Sequence, residues 1–326
     1  MREISYSNAI QEAFQQKMEA DPNVFILGQG VTNPWYVGDS MANLDKLFGT
    51  DRVIDPPVSE QGMNGVVVGA ALAGMRPVVV HPRVDFLLVG IEQIINEAAN
   101  WSYMFDGQIS MPLTVRAIIN RGGEQAAQHS QALQAIFMHI PGLKVVMPSS
   151  PYDAKGLLIA SIEDPDPVIY IDDRWLYETK EEVPETLYTI PIGKGVTRKE
   201  GKDITIVGIS TMAVEAEKAA ILLAKDNIDA EIIDLRTLKP WDTELVFESV
   251  RKTGNLVIAD SAWKTCGAAA EISAAVVENT FSHLKNAPVR VTLPDSPAPA
   301  STPLEEEYYI NANDIVKAVH KIFNSK

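Results

Sequence analysis

Glu60 stands at the head of "VSEQGMNGVVVGAALAGMRPVVV", a run from Val58 to Val80 that is otherwise almost wholly small and apolar. A carboxylate entering such a stretch is costly unless it is used. One use is a favourable place in the first turn of a helix, against its dipole. Another is proton exchange. Glu60 lies just past the carboxyl end of a strand over residues 53–55, the edge at which open α/β sheets bind ligands. Val58, Met63 and Val66 are expected to surround it with apolar groups, raising its pKa and equipping it to share a proton. His129, in "GGEQAAQHSQALQAIF", is a loop histidine before a helix start. It reads as a solvated cap or as an acid or base projecting into the same strand-end cleft. Phe86, in "HPRVDFLLV", has only a core reading from the pattern.

Other chemistries are poorly supported. The five histidines, at positions 81, 129, 139, 283 and 320, contain no pair at zinc-ligand spacing. No G-x-S-x-G elbow, P-loop or strand-borne G-x-G-x-x-G is present. Gly62, Gly65, Gly69 and Gly74 instead suggest close packing of the helix against another backbone, with the same helix of a second copy as a candidate neighbour. A net charge of −15 argues against nucleic-acid and anionic-membrane partners. No signal peptide and no membrane span is read, and the single cysteine, Cys266, precludes an internal disulfide. These features imply a cytoplasmic enzyme or enzyme subunit.

The elements that must position these residues alternate from end to end. A helix is expected over residues 6–21, strands at 24–27 and 53–55, then a helix capped by Ser59 and reaching about Ala73. A strand at 77–80, a helix at 90–103, a strand at 113–119, the glycine-bearing loop 120–129 and a strand–helix–strand run follow. Continuous rather than alternating apolar strands imply burial on both faces, hence mostly parallel sheets covered by helices. The periodicity fades between about residues 172 and 203, a charged connection with a short β element of its own. A second βα series follows, with helices at 212–224, 243–251, 267–281 and 313–323. The expected fold class is α/β with two doubly wound sheets, divided as residues 1–185 and 186–326.

With these residues in place, the chain resembles a known family. The Val58–Val80 run, "DFLLVGIEQIINEAANWSYMFDGQ", "AAQHSQALQAIFMHIPGLKVVMPSSPYDAKGLLIASIEDPDPVIY" and "AEIIDLRTLKPWD" are similar to the β subunit of the thiamine-diphosphate-dependent decarboxylase of 2-oxo acid dehydrogenase complexes, typified by pyruvate and branched-chain 2-oxo acid dehydrogenases. The resemblance spans essentially the whole chain. It implies a transketolase-like pyrimidine-binding domain followed by a transketolase C-terminal domain. It implies that Glu60 hydrogen-bonds N1′ of the cofactor's aminopyrimidine, favouring the 4′-imine that removes the thiazolium proton. It makes Phe86 the aromatic packed on the pyrimidine, and His129 the histidine that handles substrate or acyl acceptor. Diphosphate and Mg2+ would be held by a separate α subunit, since no G-D-G motif occurs here, and a second β subunit would pack on the glycine-rich helix. A potassium ion would be bound at Leu113, Ser161, Ile162, Asp164 and Asp166, mostly through backbone carbonyls; an ordinary turn at "EDPDP" is the alternative.

Four departures from the family pattern stand out. Gly28-Gln29-Gly30 lacks an acidic residue, and "VTNPWYVGDSM" replaces a glycine-rich, aromatic run. Gln128 precedes His129 where branched-chain-type members show a second histidine, which leans toward pyruvate-like substrates. "HPRVDF" differs from both types. The leading expectation is oxidative decarboxylation of a 2-oxo acid with acyl transfer to a lipoyl acyltransferase. The alternatives are a stand-alone thiamine-dependent carboligase or decarboxylase, a split transketolase, and a catalytically silent scaffold paralogue.

Overall fold

A computed structural model describes residues 2–324. The chain divides into two compact units, Met1–Arg121 with Ile136–Ile192, and Gly122–Ala135 with Gly193–Lys326. Residues 186–192 thus cluster with the first unit, and the loop that carries His129 clusters with the second.

The first unit holds β1 (Arg2–Ser5), β2 (Val24–Gly28), β3 (Val53–Ile54), β4 (Arg76–His81), β5 (Thr114–Ile119), β6 (Lys144–Val146), β7 (Val168–Asp173) and β8 (Lys180–Val183). Six of these form a parallel sheet in the order β6-β7-β5-β4-β2-β3. Every residue of β2, β5 and β7 is buried, as two-sided coverage requires. The short connection strand expected after residue 172 is β8, which pairs antiparallel with β1. The helices are α1 (Tyr6–Ala20), α2 (Pro34–Val37), α3 (Leu44–Phe48), α4 (Glu60–Leu72), α5 (Val84–Leu87), α6 (Ala99–Met104), α7 (Gln134–His139), which runs on from the second unit, and α8 (Pro151–Glu163). α1 packs on α8, and α4 packs on β4. Ser5 caps α1 by accepting from the Asn8 amide at 3.2 Å, and the apolar stripe Ala9, Ile10, Ala13, Phe14 faces inward.

The expected helix over 90–103 is not uniform. A 3-10 turn at Leu88–Gly90 leads into a π-helical stretch, Gln93–Ala98, before α6. In the widened turns the Asn100 amide donates to the carbonyls of Ile95 (2.9 Å) and Asn96 (3.2 Å), satisfying groups that a regular helix would pair internally.

The second unit holds β9 (Val196–Lys199), β10 (Ile204–Gly208), α9 (Thr211–Ala224), β11 (Ala230–Asp234), β12 (Thr237–Lys239), α10 (Thr243–Thr253), β13 (Leu256–Trp263), α11 (Ala268–Thr280), β14 (Val289–Leu293), α12 (Thr302–Tyr308) and α13 (Ala312–Asn324). Its sheet has the order β14-β13-β10-β11-β9, parallel except for β9. α9 and α13 pack together and on the sheet, and α10 and α11 form a second packed pair on it. The core joins Ile206, Ile232 and Val257 to Ala216, Leu223, Ile315 and Val319. No helix among the described residues is long and apolar enough to cross a membrane.

Candidate active site

Glu60 is the first residue of α4, partly buried, at the carboxyl edge of the first sheet. Ser59 occupies the N-cap but its side chain makes no capping bond, so the expected serine cap is positional only. What fixes the helix head is one turn further on. The Asn64 side-chain amide donates to the Gly90 carbonyl at 2.9 Å, and Asn64 Oδ1 lies 2.9 Å from His81 Nε2. Because the Asn64 amide nitrogen is engaged as donor, Oδ1 must accept, which places the His81 proton on Nε2. His81 ends β4, is fully buried, and its Nδ1 has no hydrogen-bond partner. Burial pushes its pKa down to about 4, so the ring is neutral under ordinary conditions.

Gly90 is required at this contact. A Cβ there would sit 2.5 Å from Asn64 Nδ2 and 2.7 Å from the Glu60 carbonyl oxygen. The close approach binds the turn Leu88–Gly90 to the head of α4. Phe86 lies one helical turn before Gly90, in α5, with its side chain partly open (38% exposed). A carboxylate and an open aromatic face therefore sit on neighbouring, mutually anchored segments. That donor set fits a planar, protonatable heterocycle such as an aminopyrimidine.

The expected apolar enclosure of Glu60 is only partly present. Met63 is buried, but Val58 and Val66 are 64% and 57% exposed. The helical period explains this: Met63, Asn64, Val67, Val68 and Ala71 face inward, leaving Val66 beside Gly62, Gly65 and Gly69 on the outer face. Nothing lies within 4 Å of where a Cβ at Gly69 would project, so this face of the helix is open.

The segment after β2, residues 29–41, is pinned along its length. The Gly30 amide and the Thr32 hydroxyl donate to the Asp55 carboxylate at 2.8 and 3.0 Å. The Arg174 guanidinium donates to the Trp35 carbonyl at 3.0 Å, and Arg116 donates to Ser40 Oγ at 2.8 Å. Arg116 is fully buried; burial disfavours its charge, but Asp172 and Tyr177 more than offset this and leave its pKa raised. At the end of β7, Asp173 receives the Arg121 guanidinium, which also lies over the Trp175 ring at 4.9 Å. Burial raises the Asp173 pKa against the opposing pull of Arg121.

His129 is partly buried on the loop 122–135 of the second unit. Both ends of that loop are fastened there. The Glu124 amide donates to both Glu305 carboxylate oxygens at 3.1 Å, and Thr302 Oγ1 donates to Glu124 Oε1 at 3.0 Å. At the other end Gln134 Nε2 donates to the buried Asp260 carboxylate at 2.7 Å. Gly122, Gly123, Glu124 and Ala126 all have positive φ, so a specific loop shape is held at some backbone cost. The structure thus places Glu60 and Phe86 on two anchored segments of the first unit and carries His129 on the second.

The expected cation ligands meet charges of the chain itself. Lys144 Nζ lies 2.7 and 2.9 Å from the Asp164 carboxylate oxygens and 3.1 Å from Asp166. Arg76 donates to the carbonyls of Ile162 and Asp164 at 2.9 and 3.4 Å. The Leu113 carbonyl accepts from the Val168 amide at 2.9 Å, and the Ser161 hydroxyl donates back to the Leu157 carbonyl at 2.7 Å. An ion bound there would compete with the Lys144 and Arg76 side chains for these oxygens. Among the described residues, no group of three or more His, Cys, Asp or Glu side chains is placed to hold a metal.

Sequence reasoning missed the contact of Asn64 with His81. Asn64 lies within the opening motif and His81 directly after it, and a buried polar pair at the end of a strand and on the facing helix is invisible without their contact.

Residues 2–180 match the transketolase pyrimidine-binding domain and residues 193–315 the transketolase C-terminal domain. The chain is 43% identical to the β subunit of acetoin:2,6-dichlorophenolindophenol oxidoreductase of Cupriavidus necator, over 98% of this chain and 97% of that one. It is 39% identical to the pyruvate dehydrogenase E1 β subunit of Rickettsia felis, over 98% of both. A solved structure described as a split-gene transketolase, an inactive β4 tetramer, superposes with a TM-score of 0.78 at 25% identity, over 98% of both chains. The chain belongs to the transketolase-like family that includes the β subunits of pyruvate dehydrogenase E1, 2-oxoisovalerate dehydrogenase and acetoin oxidoreductase.

Proposed function

We propose that this chain is the pyrimidine-binding β subunit of a cytoplasmic thiamine-diphosphate-dependent enzyme that decarboxylates a 2-oxo acid and passes the acyl group to a lipoyl acceptor. The observation that supports this reading is the close approach of the turn that follows Phe86 to the head of α4, where Asn64 donates to the Gly90 carbonyl and Gly90 lies against the Glu60 backbone. Bound there, thiamine diphosphate supplies an acidic ring carbon and an electron sink. Glu60 holds or releases one proton at the pyrimidine nitrogen facing it. Phe86 offers that ring an apolar plane and excludes water from one side. Asn64 and neutral His81 fix the backbone that carries the carboxylate. His129, on its fastened loop, moves a proton to or from the substrate or the acyl acceptor.

An α subunit holds the diphosphate and Mg2+, and two such pairs join through the open glycine face of α4, a β–β contact. The split-transketolase likeness is in keeping with this division of one site between chains. A potassium ion takes backbone carbonyls among residues 113 and 161–166, competing with Arg76 for them. A thermal midpoint that rises with KCl but not with choline chloride supports that ion, and equal midpoints remove it.

Two relatives named as acetoin oxidoreductase β subunits, at 43% and 42% identity, favour a second reading: cleavage of a neutral hydroxyketone rather than an acid. Assay of the purified α–β pair with pyruvate and with acetoin, using lipoamide, an aldehyde or a dye as acceptor, separates the two. Turnover of the acid with lipoamide supports the proposal; turnover of acetoin alone replaces it.

A further inference from the structure

The loop that carries His129 is held differently on its two sides. After His129, the residues Ser130, Ala132, Leu133 and Gln134 are buried, and Gln134 is tied to the Asp260 carboxylate at 2.7 Å. Every residue from 122 to 129 is instead exposed or half-buried, so packing does less to fix the chain there. On that side the loop and α12 exchange hydrogen bonds reciprocally. The Glu124 amide donates to both Glu305 carboxylate oxygens at 3.1 Å, while the Thr302 amide and hydroxyl both donate to Glu124 Oε1, at 3.1 and 3.0 Å. The path from this clasp to His129 is short. Ala126, two residues past Glu124, accepts from the His129 amide at 3.4 Å and closes a turn.

Glutamate is an unfavourable residue for position 124 on two counts. Its φ is +62°, a left-handed conformation that costs a residue carrying a Cβ and that glycine, used at Gly122 and Gly123, adopts freely. Its carboxylate also bonds to the start of a helix that carries Glu305, Glu306 and Glu307, a like-charge arrangement. What the side chain reaches offsets both costs: one oxygen takes two donors of Thr302 and stops the exposed half of the loop from sliding along α12. Resting on the acid–base reading of His129 above, we propose that Glu124 is a positioning residue: clasped to Thr302 and Glu305, it sets the turn 126–129 and so the place from which the imidazole reaches the substrate. The Gln134–Asp260 bond is the fixed end against which it works. A small displacement of a proton-transferring group is enough to slow the step it serves.

The test is a double-mutant cycle in the assembled α–β enzyme with thiamine diphosphate, using whichever of pyruvate and acetoin it turns over faster. Glu124→Ala keeps a Cβ, and so the backbone cost, but cannot reach Thr302. It should lower kcat by about tenfold or more, with KM and thiamine diphosphate affinity within about twofold of wild type. Glu124→Gln keeps an acceptor oxygen at the same reach and should restore most of the rate. In a His129→Ala background Glu124→Ala should change kcat by less than about twofold, because the imidazole it places is gone. Amide exchange at His129 should quicken in Glu124→Ala while β10 and β13 exchange as in wild type. An unchanged kcat in Glu124→Ala, an equal loss with and without the imidazole, or a Glu124→Gln enzyme as slow as Glu124→Ala would each overturn the proposal. If Glu124→Ala fails to assemble, Glu305→Gln runs the same cycle. A slow His129→Ala enzyme slowed as much again by Glu124→Ala refutes only the role of Glu124. A His129→Ala enzyme that turns over at the wild-type rate refutes the acid–base reading beneath it.

Discussion

Acidifying the protein should expose His81 as a pH-sensitive brace of the site. The ring is fully buried, its Nε2 proton is committed to Asn64 Oδ1 at 2.9 Å, and its Nδ1 has no partner. Folded His81 takes up a proton only at about pH 4 because of burial, whereas in the unfolded chain it does so near 6.5. Between those values the unfolded state binds the extra proton, so stability falls as pH falls. The contribution is complete above about pH 6.5, reduced by about 2 kcal/mol at about pH 5, and reduced by about 3 kcal/mol near pH 4. The perturbation is His81→Gln, which keeps an amide donor for Asn64 and does not titrate. Urea unfolding of both proteins from about pH 7.5 to about pH 4.5 isolates this side chain, because other titrations are shared. Wild type should lose about 2 kcal/mol more than the variant across that range. Parallel pH profiles, or an imidazole resonance of His81 titrating near 6.5, would refute the reasoning.

Four further outcomes follow from the same contacts. Gly90→Ala forces a methyl to within 2.7 Å of the Glu60 carbonyl; it should cost about 1–3 kcal/mol and lower the thermal midpoint, whereas an unchanged midpoint would mean the α4 head is loose. Phe86→Ala should weaken thiamine diphosphate binding by roughly tenfold while sparing the midpoint, since the ring is 38% exposed; Phe86→Tyr should bind normally. Glu305→Gln should lower the local opening free energy of the His129 loop by about 1–2 kcal/mol, read as faster amide exchange at Glu124 with β10 and β13 unaffected. Equal exchange at Glu124 in both proteins would mean that the clasp does not hold the loop.

Much of the scaffold was legible because apolar runs such as "VFILG", "ITIVG" and "LVIAD" are continuous, and two-sided burial leaves no alternation to confuse them. The helices expected over residues 6–21 and 243–251 likewise form, ending at Ala20 and Thr253. Glu60 was legible as chemistry because a carboxylate heads a greasy stretch after a strand. Phe86 became a site residue only through resemblance: an exposed aromatic and a core aromatic look alike in one dimension. The contacts that make the site rigid were not legible. His81 and Asn64 are 17 residues apart, Glu124 and Glu305 181 apart, and Gln134 and Asp260 126 apart, and no local pattern encodes such pairings. Strand β1 is short and polar, and it exists because β8 pairs with it. The outward turn of Val58 and Val66 was missed because hydrophobicity in sequence does not tell a core face from a face awaiting a partner.

The central claim is that the Glu60 carboxyl exchanges a proton with the bound pyrimidine, and one measurement reaches it directly. In the assembled enzyme loaded with thiamine diphosphate, hydrogen–deuterium exchange at the thiazolium carbon can be followed by rapid quench and NMR for wild type and Glu60→Gln. Loss of proton-sharing should slow exchange by about a hundredfold or more while secondary structure and thermal midpoint stay as in wild type. Exchange at the wild-type rate in Glu60→Gln, with cofactor bound, would contradict it.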